Sequence, residues 1–251
     1  MKKKIVCIGN SIVNGFPLRR SQCFASLLRE ATGWEIINKG NNGETTTQIL
    51  ARFERDVISH HPDIVVILTG TNDFIFQDAT PEEAFQNLIH MAKTAALHGI
   101  RPIFMTPLPV DEPMATERWM QGYGISYARV NEELRAFAAL VRNSGTKYLD
   151  LNRLYPECGQ YIDGIHPTAA GHRFIAEHLQ EFLQKLTTQT ITSEGAHNTR
   201  DLEKKSTKCR KKTFCSLLKY PMRWLIRPGS KYSATSCRRK KISAKYATKT
   251  W

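Results

Sequence analysis

Continuous apolar runs and helical stripes alternate along the first three quarters of the chain. KIVCIG at residues 4–9 and DIVVILTG at residues 63–70 are short, β-branched and apolar at successive positions, the pattern of parallel strands covered on both faces. Between them, Phe24, Leu27 and Leu28 share one face of a helix over 21–31 that Gly33 ends. EIIN at 35–38 reads as a second strand, and Ile49, Leu50, Phe53 and Val57 mark a helix from about Thr45 that Pro62 closes. Thr80 caps a helix over 81–98, with Pro81, Glu82 and Glu83 in its first turn. RPIFMTP at 101–107 is a fourth strand, 127–143 a helix, KYLDL at 147–151 a fifth strand, and 168–186 a last helix with Phe174, Ile175, Leu179, Phe182 and Leu183 on its apolar face. Five strands separated by helices predict an α/β fold with a doubly wound parallel sheet and right-handed crossovers. Residues 108–127, with Trp119 and Tyr123, are irregular and fall where a loop overhangs the carboxyl edge of that sheet. They serve either to shape substrate choice or as an ordinary surface excursion.

The chain has 251 residues, 41% of them hydrophobic, enough for one sizeable core and an appendage. Charge separates the two. Residues 187–251 carry 17 Lys and Arg against 3 Asp and Glu, and residues 1–186 carry 19 against 20, so the overall charge of +13 belongs to the tail. A domain over 1–186 followed by a basic, disordered extension over 187–251 is therefore expected. Cys7, Cys23 and Cys158 form an odd set in the body, with no metal-ligand spacing, and the first apolar run is too short for a signal peptide or a membrane span. The body is expected in the cytoplasm, with neither metal nor cofactor.

Candidate chemistry lies at strand ends. GNS at 9–11, NNG at 41–43 and GTND at 70–73 follow the first three strands, and a parallel sheet brings such ends to one edge. DGIHP at 163–167 precedes the last helix. Ser11 alone is an ordinary turn residue. With Asp163 and His166 three residues apart, a carboxylate can hold one imidazole nitrogen and leave the other to take a serine proton. The oxyanion formed by attack then needs donors, which the backbone N–H groups of Gly43 and Ser11 and the amide of Asn72 can supply. Singly, each of these residues also serves as a turn or cap; together, at compatible strand ends, they point to nucleophilic catalysis.

Four blocks in this order, IGNS, NKGNNGETT, LTGTND and DGIHPTAAGH, resemble the SGNH or GDSL-like hydrolases over residues 1 to about 186. The resemblance implies a flavodoxin-like α/β/α sandwich with a five-stranded parallel sheet. It also implies Ser11 as nucleophile, Gly43 and Asn72 as oxyanion donors, and Asp163 and His166 as the rest of a triad. The implied activity is hydrolysis of acyl esters of small molecules through an acyl-enzyme, of lysophospholipase, arylesterase or acetylesterase type, without metal. Carbohydrate O-deacetylation is the alternative within the same chemistry. Asn10 departs from the family pattern, since an Asp usually precedes the serine; Asn keeps the size and the acceptor oxygen but not the charge.

In the tail, FCSLLKYPMRWLIRP at 214–228 mixes apolar and basic residues, with Pro221 breaking any long helix. Four readings stand: an extension without specific function, contact with an anionic membrane, contact with nucleic acid as the least favoured, or an accidental continuation of the reading frame. A non-catalytic binding protein dominated by this tail is the alternative of a different class.

Overall fold

The alternation of apolar side chains along each strand divides the core into two layers, one on either side of a single sheet. In the computed structural model, which describes residues 2–119 and 124–198, five strands pair in parallel in the order β2-β1-β3-β4-β5. They are β1 (Lys4–Gly9), β2 (Glu35–Gly40), β3 (Ile64–Leu68), β4 (Arg101–Met105) and β5 (Tyr148–Leu149). Val6, Ile8, Val65, Ile67 and Phe104 face one layer. Ile5, Cys7, Ile64, Val66, Leu68, Ile103 and Met105 face the other. All five residues of β3 are buried, as its unbroken apolar run requires of a strand covered on both faces.

The helices supply the covers. Short helix α1 (Ser11–Asn14) and α2 (Phe24–Thr32) follow β1; α3 (Thr46–Ala51) and α4 (Phe53–Asp56) follow β2; α5 (Thr71–Ile75) and α6 (Pro81–Leu97) follow β3. After β4 come α7 (Glu112–Arg118) and α8 (Tyr127–Arg142), and after β5 come α9 (Leu151–Leu154) and α10 (Ala169–Asn198). Thr80 caps α6 by accepting from Glu83 N, as expected. Among the described residues no helix is long and apolar enough to cross a membrane.

Several elements differ from the expectation. The helix predicted from Thr45 through Val57 breaks at Arg52, whose φ/ψ of −107°/4° leaves the helical region. Its guanidinium is drawn inward, where Nη2 donates to Gly9 O at 3.0 Å, Nε to Glu44 at 2.6 Å and Nη1 to Asp56 at 2.9 Å. Apolar periodicity does not register such a pull. The fifth strand shrinks to two residues because Asp150 leaves the ladder to accept from Thr106 Oγ1 and Arg142. Part of the irregular stretch after β4 is helical, as α7. The last helix runs past Leu186 to Asn198, since TTQTITSEGAHN lacks the proline that would stop it. Expectations for Tyr123 and for the tail beyond Asn198 lie outside the described residues.

Two contacts set the carboxyl edge of the sheet. A Cβ on Gly9 would lie 2.0 Å from Leu68 O and 2.6 Å from Val13 Cγ2, so β1 can turn into α1 beside β3 only with glycine there. Asp73, fully buried at the start of α5, accepts from both the backbone N–H and the hydroxyl of Thr46 at the start of α3. Thr46 in turn accepts from Asn87 of α6. Burial raises the Asp73 carboxyl from 3.8 to about 6, against the lowering effect of the Thr46 donors.

Gly9→Ala should destabilise the fold by about 3 kcal/mol or more, read as a fall in the urea midpoint, because the clash is with main chain that cannot move aside. For Asp73, the folded state holds more protons than the unfolded state between pH 3.8 and about 6, so this group costs stability as pH rises through that window. The stability of Asp73→Asn relative to the parent should therefore improve from pH 4 to pH 7 in urea titrations. A constant difference across that range would contradict the assigned titration.

Candidate active site

Three residues separated by up to 155 positions form one hydrogen-bonded chain. Ser11 opens α1, where Asn10 is the N-cap: its Oδ1 accepts from Ile12 N at 3.2 Å. The acceptor oxygen that Asn retains in the GNS turn is thus in use, and no negative charge is needed for it. Ser11 Oγ lies 2.9 Å from His166 Nε2, and His166 Nδ1 lies 2.7 Å from Asp163 Oδ2. The other carboxylate oxygen of Asp163 accepts from the backbone N–H groups of Ile165 and His166, at 3.0 and 2.7 Å. The three-residue spacing works because the turn bends its own amides onto the carboxylate while the side chain holds the ring.

The electrostatics follow from this geometry. Burial works to raise the Asp163 carboxyl, but the His166 side chain and the two backbone donors outweigh it and hold the group below its ordinary 3.8. An ionised Asp163 selects the His166 tautomer with the proton on Nδ1, leaving Nε2 to accept from the Ser11 hydroxyl. Ser11 and His166 are 7% and 5% exposed, enough for a small reactant to reach them and too little for full hydration.

The two other sequence-derived residues meet each other on the same edge. Asn72, in α5, donates through Nδ2 to Glu44 O at 2.9 Å, the carbonyl next to Gly43. One amide proton of Asn72 is thereby committed to holding the loop after β2. Gly43 has φ of +75°, the left-handed region, and no atom beyond its chain neighbours lies within 4 Å of where its Cβ would be. Glycine is required there by backbone conformation and leaves open space above it. That loop is further tied down by Asn14 Nδ2 donating to Asn42 Oδ1 at 2.8 Å and by Asn41 N donating to Gly9 O at 3.1 Å.

Sequence patterns alone did not single out Asp73, Arg52 or Phe16. Asp73 follows Asn72 directly, but only its burial against Thr46 shows that it latches two of the candidate turns together. Arg52 sits within a predicted apolar stripe and shows its partners only in the tertiary structure. Phe16 meets the His166 ring edge-on with centroids 5.0 Å apart. Trp119, in the stretch expected to overhang the edge, reaches the same imidazole at 5.8 Å. A cavity of about 570 Å³ opens at the outer edge of β2, lined by Arg20, Lys39, Arg52, Arg55 and Asp56 among others; neither Ser11 nor His166 lines it. Among the described residues no group of three or more His, Cys, Asp or Glu is placed to hold a metal ion.

The chain is 29% identical over 177 residues to an acetylxylan esterase of Geobacillus stearothermophilus, a match covering 64% of this chain and 76% of that protein. It is 26% identical over 189 residues to the esterase TesA of Pseudomonas aeruginosa, covering 72% and 88% respectively. The crystal structure of a lipase/acylhydrolase from Enterococcus faecalis superposes with a TM-score of 0.59 at 24% identity, covering 72% of this chain and 94% of that one, which shows the shared fold. Residues 7–174 match the GDSL-like Lipase/Acylhydrolase family from within β1 to within α10, so the stretch spans every strand and all four candidate turns. This chain belongs to that family and is an ester hydrolase.

Proposed function

We propose that the chain is a serine esterase acting on small acyl esters, with Ser11 as nucleophile, His166 as general base and acid, and Asp163 as the group that orients and stabilises the imidazolium. The observation that carries this reading is the unbroken Ser11–His166–Asp163 hydrogen-bond chain at 2.9 and 2.7 Å. An unassisted serine hydroxyl is a weak nucleophile at neutral pH; here Nε2 is within reach to accept its proton as Oγ attacks the ester carbonyl. The developing oxyanion is stabilised by the backbone N–H groups of Ser11 and Gly43 and by the Asn72 amide. His166 then returns the proton to the leaving oxygen and the alcohol departs, leaving acyl-Ser11. Water enters, its oxygen attacks the acyl carbon as His166 takes one of its protons, and His166 returns that proton to Ser11 Oγ as the acid leaves. The chemistry calls for no metal or cofactor.

Asn72 is positioned for this task at some cost. Its bond to Glu44 O fixes the amide relative to Gly43 before substrate arrives, and the second amide proton is left for the oxyanion. Donors set in advance need no reorganisation during reaction. Deacetylation of a carbohydrate is the second reading, favoured by the likeness to an acetylxylan esterase. The free thiols Cys7 and Cys23, both buried, fit a reducing compartment, and we read the cytoplasm as the site of action. Residues 187–251 enter this reading as an extension outside the catalytic domain.

Ser11→Ala should lower kcat on 4-nitrophenyl acetate by about 10⁴-fold or more with the fold intact by circular dichroism; equal rates in parent and variant would overturn the mechanism. Comparing acetate, butyrate and octanoate esters then reports acyl length. Asp163→Asn should cost about 10³- to 10⁴-fold in kcat with little change in KM, because the wrong tautomer is favoured. Since Asp163 is held below its ordinary range, it adds no titration step to kcat/KM above about pH 4. A kcat/KM profile in which Asp163→Asn removes an acid limb lying above pH 4 would contradict this placement of the carboxylate.

A further inference from the structure

The catalytic imidazole is flanked by two aromatic rings from distant parts of the chain. Phe16 presents itself edge-on, with ring planes at 69°, and Trp119 lies tilted at 50°. Both are fixed by the backbone that carries the triad. Phe16 lies two residues past the end of α1, and its N–H donates to Ser11 O at 3.0 Å. Trp119 follows α7 and donates from its own N–H to Ala115 O at 2.9 Å. The segment leading into α7 is tied to the Asp163–His166 turn: Asp111 N donates to Gly164 O at 2.8 Å, and the Tyr161 hydroxyl donates to Pro109 O. A Cβ on Gly164 would lie 2.4 Å from Ala115 N, so α7 rests directly on that turn.

Core packing accounts for part of Trp119, which lies against the core layer of β3 and α8, but not for Phe16. Phe16 is 38% exposed, in a molecule whose described residues leave few large apolar side chains in water. The Trp119 indole Nε1 is buried yet has no hydrogen-bond partner among the described residues. Water-facing apolar area on Phe16, beside the imidazole, is what an apolar ligand would cover.

The reaction assigns the ligand's side. To protonate the departing alcohol, His166 Nε2 must come within about 2.6–3.2 Å of the leaving oxygen. The substituent on that oxygen then lies against whatever surrounds the imidazole, and here that is Phe16 and Trp119. The acyl carbonyl oxygen, by contrast, is directed to the Gly43 and Asn72 donors. We propose that Phe16 and Trp119 form a leaving-group subsite for an apolar, preferably aromatic, alcohol, so that the enzyme selects esters by their alcohol portion. This rests on the serine-esterase reading above.

Benzyl acetate and ethyl acetate share the acyl group and release alcohols of similar basicity, so their comparison isolates contact with the ring. With the full chain in a pH-stat assay, kcat/KM for benzyl acetate should exceed that for ethyl acetate by about 10-fold. In Phe16→Ala the ratio should fall to about 2, chiefly through KM for the benzyl ester. Phe16→Leu, which keeps an apolar wall, should fall between the two, and Trp119→Ala should lower the ratio from the other side. Equal kcat/KM for the two esters in the parent, or an unchanged ratio in folded Phe16→Ala and Trp119→Ala, overturns the subsite while Ser11-dependent hydrolysis leaves the esterase reading standing. Preference for O-acetylated methyl xyloside over benzyl acetate likewise overturns it. Absence of any hydrolysis that depends on Ser11 removes the esterase reading and this proposal together.

Discussion

Parallel pairing of β1 between β2 and β3 is the constraint on which the site depends. It requires the turns after all three strands to emerge on one edge, and it thereby brings Ser11, Gly43 and Asn72 together although they are far apart in the chain. The pairing is driven by burial: every residue of β3 and nearly every residue of β1 is withdrawn from water, and each buried Val or Ile contributes about 1.5–3 kcal/mol. Gly9 marks how tightly the edge is drawn, since even a methyl group there would collide with the neighbouring strand.

Above that apolar base, the edge is organised by polar groups that have given up water. Arg52 donates to Glu44, Asp56 and the Gly9 carbonyl, joining the junction of α3 and α4 to the end of the strand that leads into Ser11. A buried guanidinium is costly unless its donors are matched, and here three separate acceptors meet it. Asp73 is the opposite case, a buried carboxyl whose hydrogen bonds come from the neutral Thr46 and whose affinity for a proton rises accordingly. Asp163 is buried to a lesser degree but accepts hydrogen bonds from the His166 ring and two backbone donors, so its carboxylate is favoured. The three groups show how partners, more than depth, decide what a buried charge does.

The aromatic pair around His166 connects this scaffold to reactivity. Phe16 is bonded to the Ser11 turn and Trp119 belongs to the segment bonded to the Asp163–His166 turn, so the two rings reach the imidazole from the two turns that form the hydrogen-bonded chain. Their apolar surroundings keep the ring poorly hydrated, which strengthens the short hydrogen bonds on either side of it.

The strand-and-helix order, the five parallel strands and the triad candidates were legible in the residues themselves. Strand burial leaves continuous apolar runs, and the chemistry needs particular residue types at strand ends, so both leave a local mark. Ser11, Asp163 and His166, read from three short motifs, lie in one hydrogen-bonded chain. Local pattern missed what depends on distant atoms: the break at Arg52, the shortening of β5 at Asp150, and the latch from Asp73 to Thr46. Each arises when a side chain finds partners brought near only by the packed sheet, and neither periodicity nor propensity registers such a partner. The aromatic enclosure of His166 is of the same kind. Phe16 and Trp119 stand 103 positions apart, and nothing along the chain assigns them to one imidazole. Residue types and short motifs were enough to name the candidate groups at the strand ends; what surrounds those groups came only from the packed fold, because surroundings are made of contacts between residues that the chain order keeps apart.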